Sequence, residues 1–215
     1  MMNDIAGLRK EYMLHSLKAN DMPHDPLVFF EQWFKEALES EVLEANAMAL
    51  CTVDPKGRPS TRIVLLKGVE DGSYVFYTNY HSNKGQMITL NPNVSLTFFW
   101  AELERQVRIE GVAEKVSEQV SDAYFASRPR GSQIGAWVSE QSEVIDNELD
   151  LSKVAEHVAQ RFEGMEVIRP QHWGGYAVKP EQIEFWQGRP NRLHDRMRYT
   201  LQSAENTWQL DRLSP

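Results

Sequence analysis

From Met48 onward the spacing of apolar residues changes from helical to alternating, and alternation then recurs in five short runs up to Lys115. Met48 to Val53 reads as a strand, and Asp54-Pro-Lys-Gly57 follows as a turn with proline and glycine in favoured places. Pro59 to Lys67 is the next strand, Asp71-Gly72 the next turn, and Tyr74 to Thr78 the third strand. Ser82 caps a short helix that runs to Leu90 and is stopped by Asn91-Pro92-Asn93. Val94 to Trp100 and Arg105 to Lys115 are the fourth and fifth strands, joined by a short polar turn. Five such strands on short links form an antiparallel meander that curls into a barrel.

Helices flank this core. Asp4 to Asn20 is expected to be helical on loose periodicity, with Ile5, Leu8, Tyr12 and Leu17. Asp25-Pro26 opens a firmer helix, because Asp caps free N–H groups and Pro suits the first turn. Leu27, Phe30, Phe34, Ala37 and Leu38 give it an apolar stripe, widened by Trp33. Ser117 to Ser127 and Gln133 to Val138 read as helices, and Glu140 to Asp150 as a polar loop. Leu151 to Phe162 is a further helix, ended by Gly164. Gly174 to Val178, Ile183 to Gln187, Arg192 to Leu201 and Thr207 to Leu210 return to strands. No repeat or shift in composition marks a boundary, so residues 1–215 are expected to form one α+β domain.

The formal net charge of -8 argues against a general nucleic-acid binder or a binder of anionic membranes, which needs a broad basic surface. The single cysteine, Cys51, excludes an internal disulfide and a cysteine-based zinc cluster. No apolar run is long enough to span a bilayer, and the first ten residues lack the apolar core of a secretory signal. The expected location is the cytoplasm.

Against that acidic background, four arginines and a histidine fall between Arg189 and Arg198. If Arg192 to Tyr199 is a strand, Arg192, His194, Arg196 and Arg198 all project from one face. Like charges so placed either face an anion or form a solvated edge strand protected by its charge. Arg62, in the apolar strand Thr61-Arg-Ile-Val-Leu-Leu-Lys67, needs a partner, which an internal salt bridge or a bound anion would supply. Period two sets Arg62 and Lys67 on opposite faces. Tyr77-Thr78 leads into the start of the Ser82 helix, where backbone N–H groups beside Lys84 can hold a phosphate. Tyr124, Arg128 and Ser132 surround a Pro/Gly break, as either a second phosphate clamp or a solvated helix end. Gln106, Gln141 and Ser142 can hydrogen-bond a flat heteroaromatic ring, and Trp186 can pack on one or simply fill the core. There is no G-x-G-x-x-G, no P-loop, no H-E-x-x-H and no G-x-S-x-G, so the corresponding phosphate, metal and nucleophile sites are excluded.

Read together, these segments resemble the pyridoxine/pyridoxamine 5′-phosphate oxidases. The resemblance runs through Arg9-x-Glu-Tyr12, Thr61-Arg-x-Val-Leu-Leu-Lys-Gly68, Tyr77-Thr78, Ser82-x-Lys84 and Ser127-Arg-Pro-x-Gly-Ser132. It continues through Gln141-Ser142, Glu184-Phe-Trp-Gln-Gly188, Arg192-Leu-His194-Asp-Arg196 and Arg212-Leu-x-Pro215, covering nearly the whole chain in family order. It implies an FMN-binding split β-barrel with flanking helices, assembled as a homodimer with FMN between the subunits. By that resemblance Arg62, Ile63, Val64, Leu65, Leu66, Lys67, Tyr77, Thr78 and Lys84 contact FMN. So do Gln106, Gln141, Ser142, Trp186 and Arg196. Lys67, Tyr124, Arg128 and Ser132 hold the substrate phosphate, while the catalytic pair Arg192 and His194, with Leu193, lies against the pyridine ring. Arg9, Lys10, Glu11 and Tyr12 form a lid within an N-terminal segment, residues 1–20. Two positions depart from the pattern: Asn83 and Lys10 stand where the family often has arginine.

The implied reaction oxidises pyridoxine 5′-phosphate or pyridoxamine 5′-phosphate with O2, giving pyridoxal 5′-phosphate and hydrogen peroxide, and ammonia from the amine. A non-catalytic FMN-binding split-barrel protein and a flavin reductase are the alternatives. Neither needs a second phosphate clamp together with the Arg-x-Glu-Tyr lid.

Overall fold

The computed structural model describes residues 11–215, and there the alternating runs become strands of one curled antiparallel sheet. In chain order the strands are β1 (Ala47–Val53), β2 (Pro59–Leu65), β3 (Gly68–Glu70), β4 (Ser73–Asn79), β5 (Asn93–Trp100), β6 (Arg105–Lys115), β7 (Trp173–Gln187), β8 (Asp195–Gln202) and β9 (Thr207–Leu213). They pair in the order β2-β1-β5-β6-β7-β4-β3, with β8 between β7 and β9, so the expected meander of five strands is not formed: β4 lies beside β7, and β5 beside β1. The helices are α1 (Pro26–Glu39), α2 (Asn83–Leu90), α3 (Glu118–Ser127), α4 (Arg130–Val138) and α5 (Leu151–Arg161).

The chain divides into two compact units. One takes the described chain up to Ala49 with Ser95–Glu110 and Pro180–Pro215, and the other takes Leu50–Val94 and Gly111–Lys179. In the first, α1 starts where expected: Asp25 Oδ1 accepts from Leu27 N at 2.9 Å, and Pro26 occupies the first turn. Its buried face is Phe29, Phe30, Trp33 and Ala37, whereas Leu38 is 58% exposed. The expected stripe therefore has the right period and a shifted centre: Phe29 joins Phe30 and Trp33 on the buried face, and Leu38 leaves it. Phe29 and Trp33 win their places against Phe185 of β7, at ring separations of 4.7 and 5.3 Å.

Three further expectations are corrected. Residues 11–18 form no helix, and only a 3-10 turn, Ala19–Asp21, follows them; the earlier part of that expected helix lies outside the described residues. The two strands expected between Gly174 and Gln187 are one, β7. It pairs with β4 up to Val178 and with β8 from Gln182, so Pro180, which lacks an N–H, falls between the two partners. Finally, β8 begins at Asp195, not Arg192. Asn191 and Arg192 have φ of 56° and 62°, and a 3-10 turn over Pro190–Arg192 replaces the expected strand start. Arg192 and His194 thus leave the alternating row, while Arg196 and Arg198 keep it, opposite the buried Met197 and Tyr199.

The second unit carries β2 to β4 and α2 to α5, with Phe125, Phe162, Val167 and Trp173 as a buried cluster. The strand expected over Pro59 to Lys67 ends at Leu65 as β2, and a short strand that was not expected, β3, follows at Gly68 and pairs with β4. β2 was expected to be buried, yet Ile63 is 66% exposed and Leu65 37%. As the end strand of the sheet order it lacks a second neighbour. Helix α4 starts at Arg130, earlier than expected, since Pro129 suits a position just before a helix and Gly131 is accommodated inside it.

Candidate functional site

A cleft of about 630 Å3 opens in the second unit. Ile63, Val64 and Leu65 of β2 and Lys67 form one part of its wall, and Tyr77 and Thr78 of β4 another. Lys84 enters from the first turn of α2, which Ser82 caps by accepting from Gly85 N. Tyr124, Arg128 and Ser132 come from the α3–α4 corner, and Gln141 from the following loop. All of these were candidates from sequence. The lining holds three cations (Lys67, Lys84 and Arg128) and not one carboxylate, in a chain of net charge -8.

Lys84 is 8% exposed, and its Nζ donates to Gln141 Oε1 at 2.6 Å and to Thr78 Oγ1 and Ser82 Oγ, each at 3.1 Å. Three neutral oxygens satisfy its hydrogens without neutralising its charge. Burial, helped by the nearby Arg62 charge, pulls its pKa down to about 8. Arg62 itself does not line the cleft. Its guanidinium donates to Leu50 O, Thr52 Oγ1 and Ser60 Oγ at 3.2, 2.8 and 2.7 Å, so neutral oxygens take the place of the salt bridge considered above. Leu66 is buried at 6% exposure and outside the lining. Ser142, at φ 78°, accepts from Asn83 N at 3.3 Å, which ties the Gln141 loop to the start of α2.

The other wall is aromatic. Tyr77 and Tyr124 stack at 3.8 Å and 14°, and Trp173 lies nearly parallel to Tyr77 at 5.5 Å. Arg128 sits 4.5 Å over the Trp173 ring, and its Nη1 is buried without a hydrogen-bond partner among the described residues. An orphaned guanidinium nitrogen is costly unless an acceptor completes it. Burial pushes the Tyr77 phenol up to about 12, so it stays protonated and can donate. The stack needs Gly175: a Cβ there would come 2.8 Å from Tyr77 Cε1 and from Val116 Cγ2. Trp173 was not anticipated, although the Gly-Gly pair after it signals that large side chains cross a strand closely.

Other expected residues lie in the first unit. Trp186 and His194 rings are 4.7 Å apart, and Tyr12 meets Trp186 edge-on at 5.7 Å and His194 at 5.9 Å. His194 Nδ1 accepts from Arg189 N at 3.1 Å, leaving the ring proton on Nε2. Burial, then Arg192, lowers its pKa, with Asp195 opposing, so the ring is neutral at neutral pH. Arg192 and Leu193 are exposed, Gln106 is half-buried on β6, and Glu11 is exposed; Arg9 and Lys10 lie outside the described residues. The cations of β8 are not left facing each other. Arg196 grips Glu184 through Nε and Nη2 at 2.8 and 3.1 Å, and Arg198 pairs with Asp211 at 3.2 Å. Glu184, 4% exposed, was missed because its role depends on β7 lying beside β8.

A curled antiparallel sheet with five helices among the described residues is the FMN-binding split β-barrel fold. An FMN-binding protein of Nostoc punctiforme related to pyridoxamine 5′-phosphate oxidase shares it at a TM-score of 0.73 with 17% identity, over 90% of this chain and 100% of that one. A crystal structure of PhzG from Burkholderia lata, in complex with tetrahydrophenazine-1-carboxylic acid, matches at a TM-score of 0.87 and 28% identity, over 94% and 99% of the two chains. The family model described as pyridoxamine 5′-phosphate oxidase matches residues 34–162. That described as the pyridoxine 5′-phosphate oxidase C-terminal dimerisation region matches residues 173–215. Pyridoxine/pyridoxamine 5′-phosphate oxidases of Paraburkholderia xenovorans and Bacteroides thetaiotaomicron are each 52% identical over 214 residues, the full length of both chains. The chain belongs to the pyridoxine/pyridoxamine 5′-phosphate oxidase family.

Proposed function

We propose that this protein oxidises pyridoxine 5′-phosphate and pyridoxamine 5′-phosphate to pyridoxal 5′-phosphate with O2, using FMN. The alcohol loses two hydrogens to become the aldehyde while O2 becomes hydrogen peroxide. The amine is oxidised to an imine, and water releases ammonia from it. The observation that carries this reading is the lining of the cleft: three cations, no carboxylate and a flat aromatic wall suit phosphorylated heteroaromatic molecules.

The residues fit FMN. Lys84 is a desolvated ammonium with only neutral partners, and Arg62 stands close enough to depress its pKa, so a phosphate would offset the charge of both. Ile63 to Lys67, Tyr77, Thr78, Gln141 and Ser142 would hold FMN, and Gln106, Trp186 and Arg196 are proposed as further FMN contacts. Bound FMN supplies a two-electron acceptor that O2 can reoxidise. Lys67, Tyr124, Arg128 and Ser132 hold the substrate phosphate, with Arg128 Nη1 as the donor that still lacks an acceptor. Arg192 fixes the pyridine ring in a reactive orientation, and neutral His194 can donate from Nε2 to orient the substrate. By the family resemblance Glu11 and Tyr12, with Arg9 and Lys10 of the same segment, would serve as the lid over the bound ring.

The protein acts as a homodimer with FMN between its subunits. The match to a dimerisation region and the exposed Ile63 on the end strand support that reading. One assay separates it from a non-catalytic flavin protein and from a flavin reductase. Yellow purified protein mixed in air with pyridoxine 5′-phosphate is expected to form pyridoxal 5′-phosphate and peroxide in equal amounts. A flavin that stays oxidised under anaerobic substrate sinks the proposal.

A further inference from the structure

Residues 12–17 belong to no helix or strand, so their backbone N–H groups need partners from elsewhere. Three of them find buried carboxylates. Glu104 Oε2 accepts from Met13 N at 2.8 Å and Leu14 N at 3.2 Å, and Asp195 Oδ2 accepts from Leu17 N at 3.0 Å. Glu104 is 3% exposed and Asp195 6%. Between these two anchors Arg189 donates to His15 O at 2.9 Å and lies 3.4 Å from Asp195. Arg212 reaches the other oxygen of Asp195 at 3.1 Å.

What this strap carries is Tyr12, whose ring lies against Trp186 and His194. Beneath Tyr12 is Gly188, where a Cβ would stand 2.7 Å from the tyrosine Cγ. Gly188 N in turn donates to Glu104 O at 2.8 Å, and Gln187 Nε2 to the same carbonyl at 3.1 Å. Glu104 adopts a left-handed backbone, φ 55°, that aims its carbonyl and its carboxylate at these separate partners. A single residue therefore joins the amides that follow Tyr12 to the surface on which Tyr12 rests.

We propose that Glu104 and Asp195 are positioning residues: they clamp the strap at both ends and hold Tyr12 over Trp186 and His194. The consequence for turnover rests on the oxidase reading above, whereas the clamp itself does not. Charge-assisted hydrogen bonds to a buried carboxylate are the stronger kind, so losing them should release the strap.

Two variants test this. Glu104→Ala removes the first anchor. Gly188→Ala keeps both carboxylates and displaces Tyr12, the nearest group at 2.7 Å, with Glu104 Cβ next at 3.1 Å; its φ is outside the left-handed range, so alanine can adopt the backbone. In both, trypsin cleavage after Lys18 without substrate is expected to quicken, and the KM of the flavin-loaded enzyme for pyridoxine 5′-phosphate to rise roughly tenfold, with kcat changed less than about twofold. Glu104→Gln keeps an acceptor oxygen and is expected to restore most of both. Parent-like cleavage and KM in both alanine variants overturn the clamp. Faster cleavage with an unchanged KM overturns its role in the reaction. Should the parent itself lack oxidase activity, the functional reading fails, and the cleavage rates still decide the clamp.

Discussion

At the scale of single residues, Lys84 gives the sharpest expectation. Burial disfavours its charged form and brings the pKa from 10.5 to about 8, so its positive charge is present below pH 8 and lost above it. FMN affinity of the flavin-free protein is therefore expected to fall as pH rises from 7 to 9, read by quenching of flavin fluorescence. Lys84→Arg, cationic throughout, should flatten the profile; a flat profile in the parent counts against the role. The linkage has a defined sign. Between about 8 and 10.5 the unfolded chain binds more protons than the folded one at this site, so this lysine makes the flavin-free fold more stable as pH rises through that window. Arg192 and Arg196 should separate by effect. Arg192→Ala is expected to lower turnover far more than it weakens FMN binding, and Arg196→Ala to lower the FMN retained after dialysis. Parent-rate oxidation in the first, or full occupancy in the second, sinks the respective role. Lys84, Tyr124, Arg128 and Ser132 could be named from sequence as candidates for anion binding because of their residue types, and all four line one cleft. The partners of Arg196 and Arg198 were not, since alternation places charges on a face without naming the neighbouring strand.

At the scale of elements, β4 and β7 pair antiparallel with Tyr77 opposite Gly175. Gly175→Ala would push a methyl group into the Tyr77 ring and Val116, and a tight core insertion of this kind costs about 1–3 kcal/mol. A lower denaturant midpoint together with a raised KM is expected; a loss of stability with parent KM would mean that the stack does not shape the cleft. By contrast, Asp25→Ala should cost about 1 kcal/mol through the lost cap of α1 and leave KM unchanged. The cap and proline of α1 could be read directly, because capping is local chemistry. Its phase could not, because burial of Phe29 beside Phe30 depends on Phe185 of the distant β7. The same limit merged two expected strands into β7: Pro180 is tolerated inside a strand once its partners change on either side of it.

At the scale of the whole molecule, large apolar side chains stay in water on the strands, Ile63 at 66% exposure and Phe99 at 57%. The dimerisation region matched at residues 173–215 suggests a homodimer, and such exposed apolar side chains are candidates for surface that a second copy covers. Phe99→Asp is expected to shift the protein from dimer toward monomer in sedimentation velocity and to lower its FMN content in parallel. An unchanged dimer would place the interface elsewhere.

What the chain's order of residues determined by itself was the alternating core, the capped helices and the residue types able to hold phosphate and stack on a ring, because each depends on neighbours in sequence. Tertiary structure alone decided which of those residues share a cleft. It turned Arg62 toward neutral oxygens, brought Trp173 beside Tyr77 and Arg128, and placed Glu104 and Asp195 under a strap some 90 and 178 residues distant in sequence. Such pairings arise from strand register and burial, which act between segments far apart along the chain, and no local pattern encodes them.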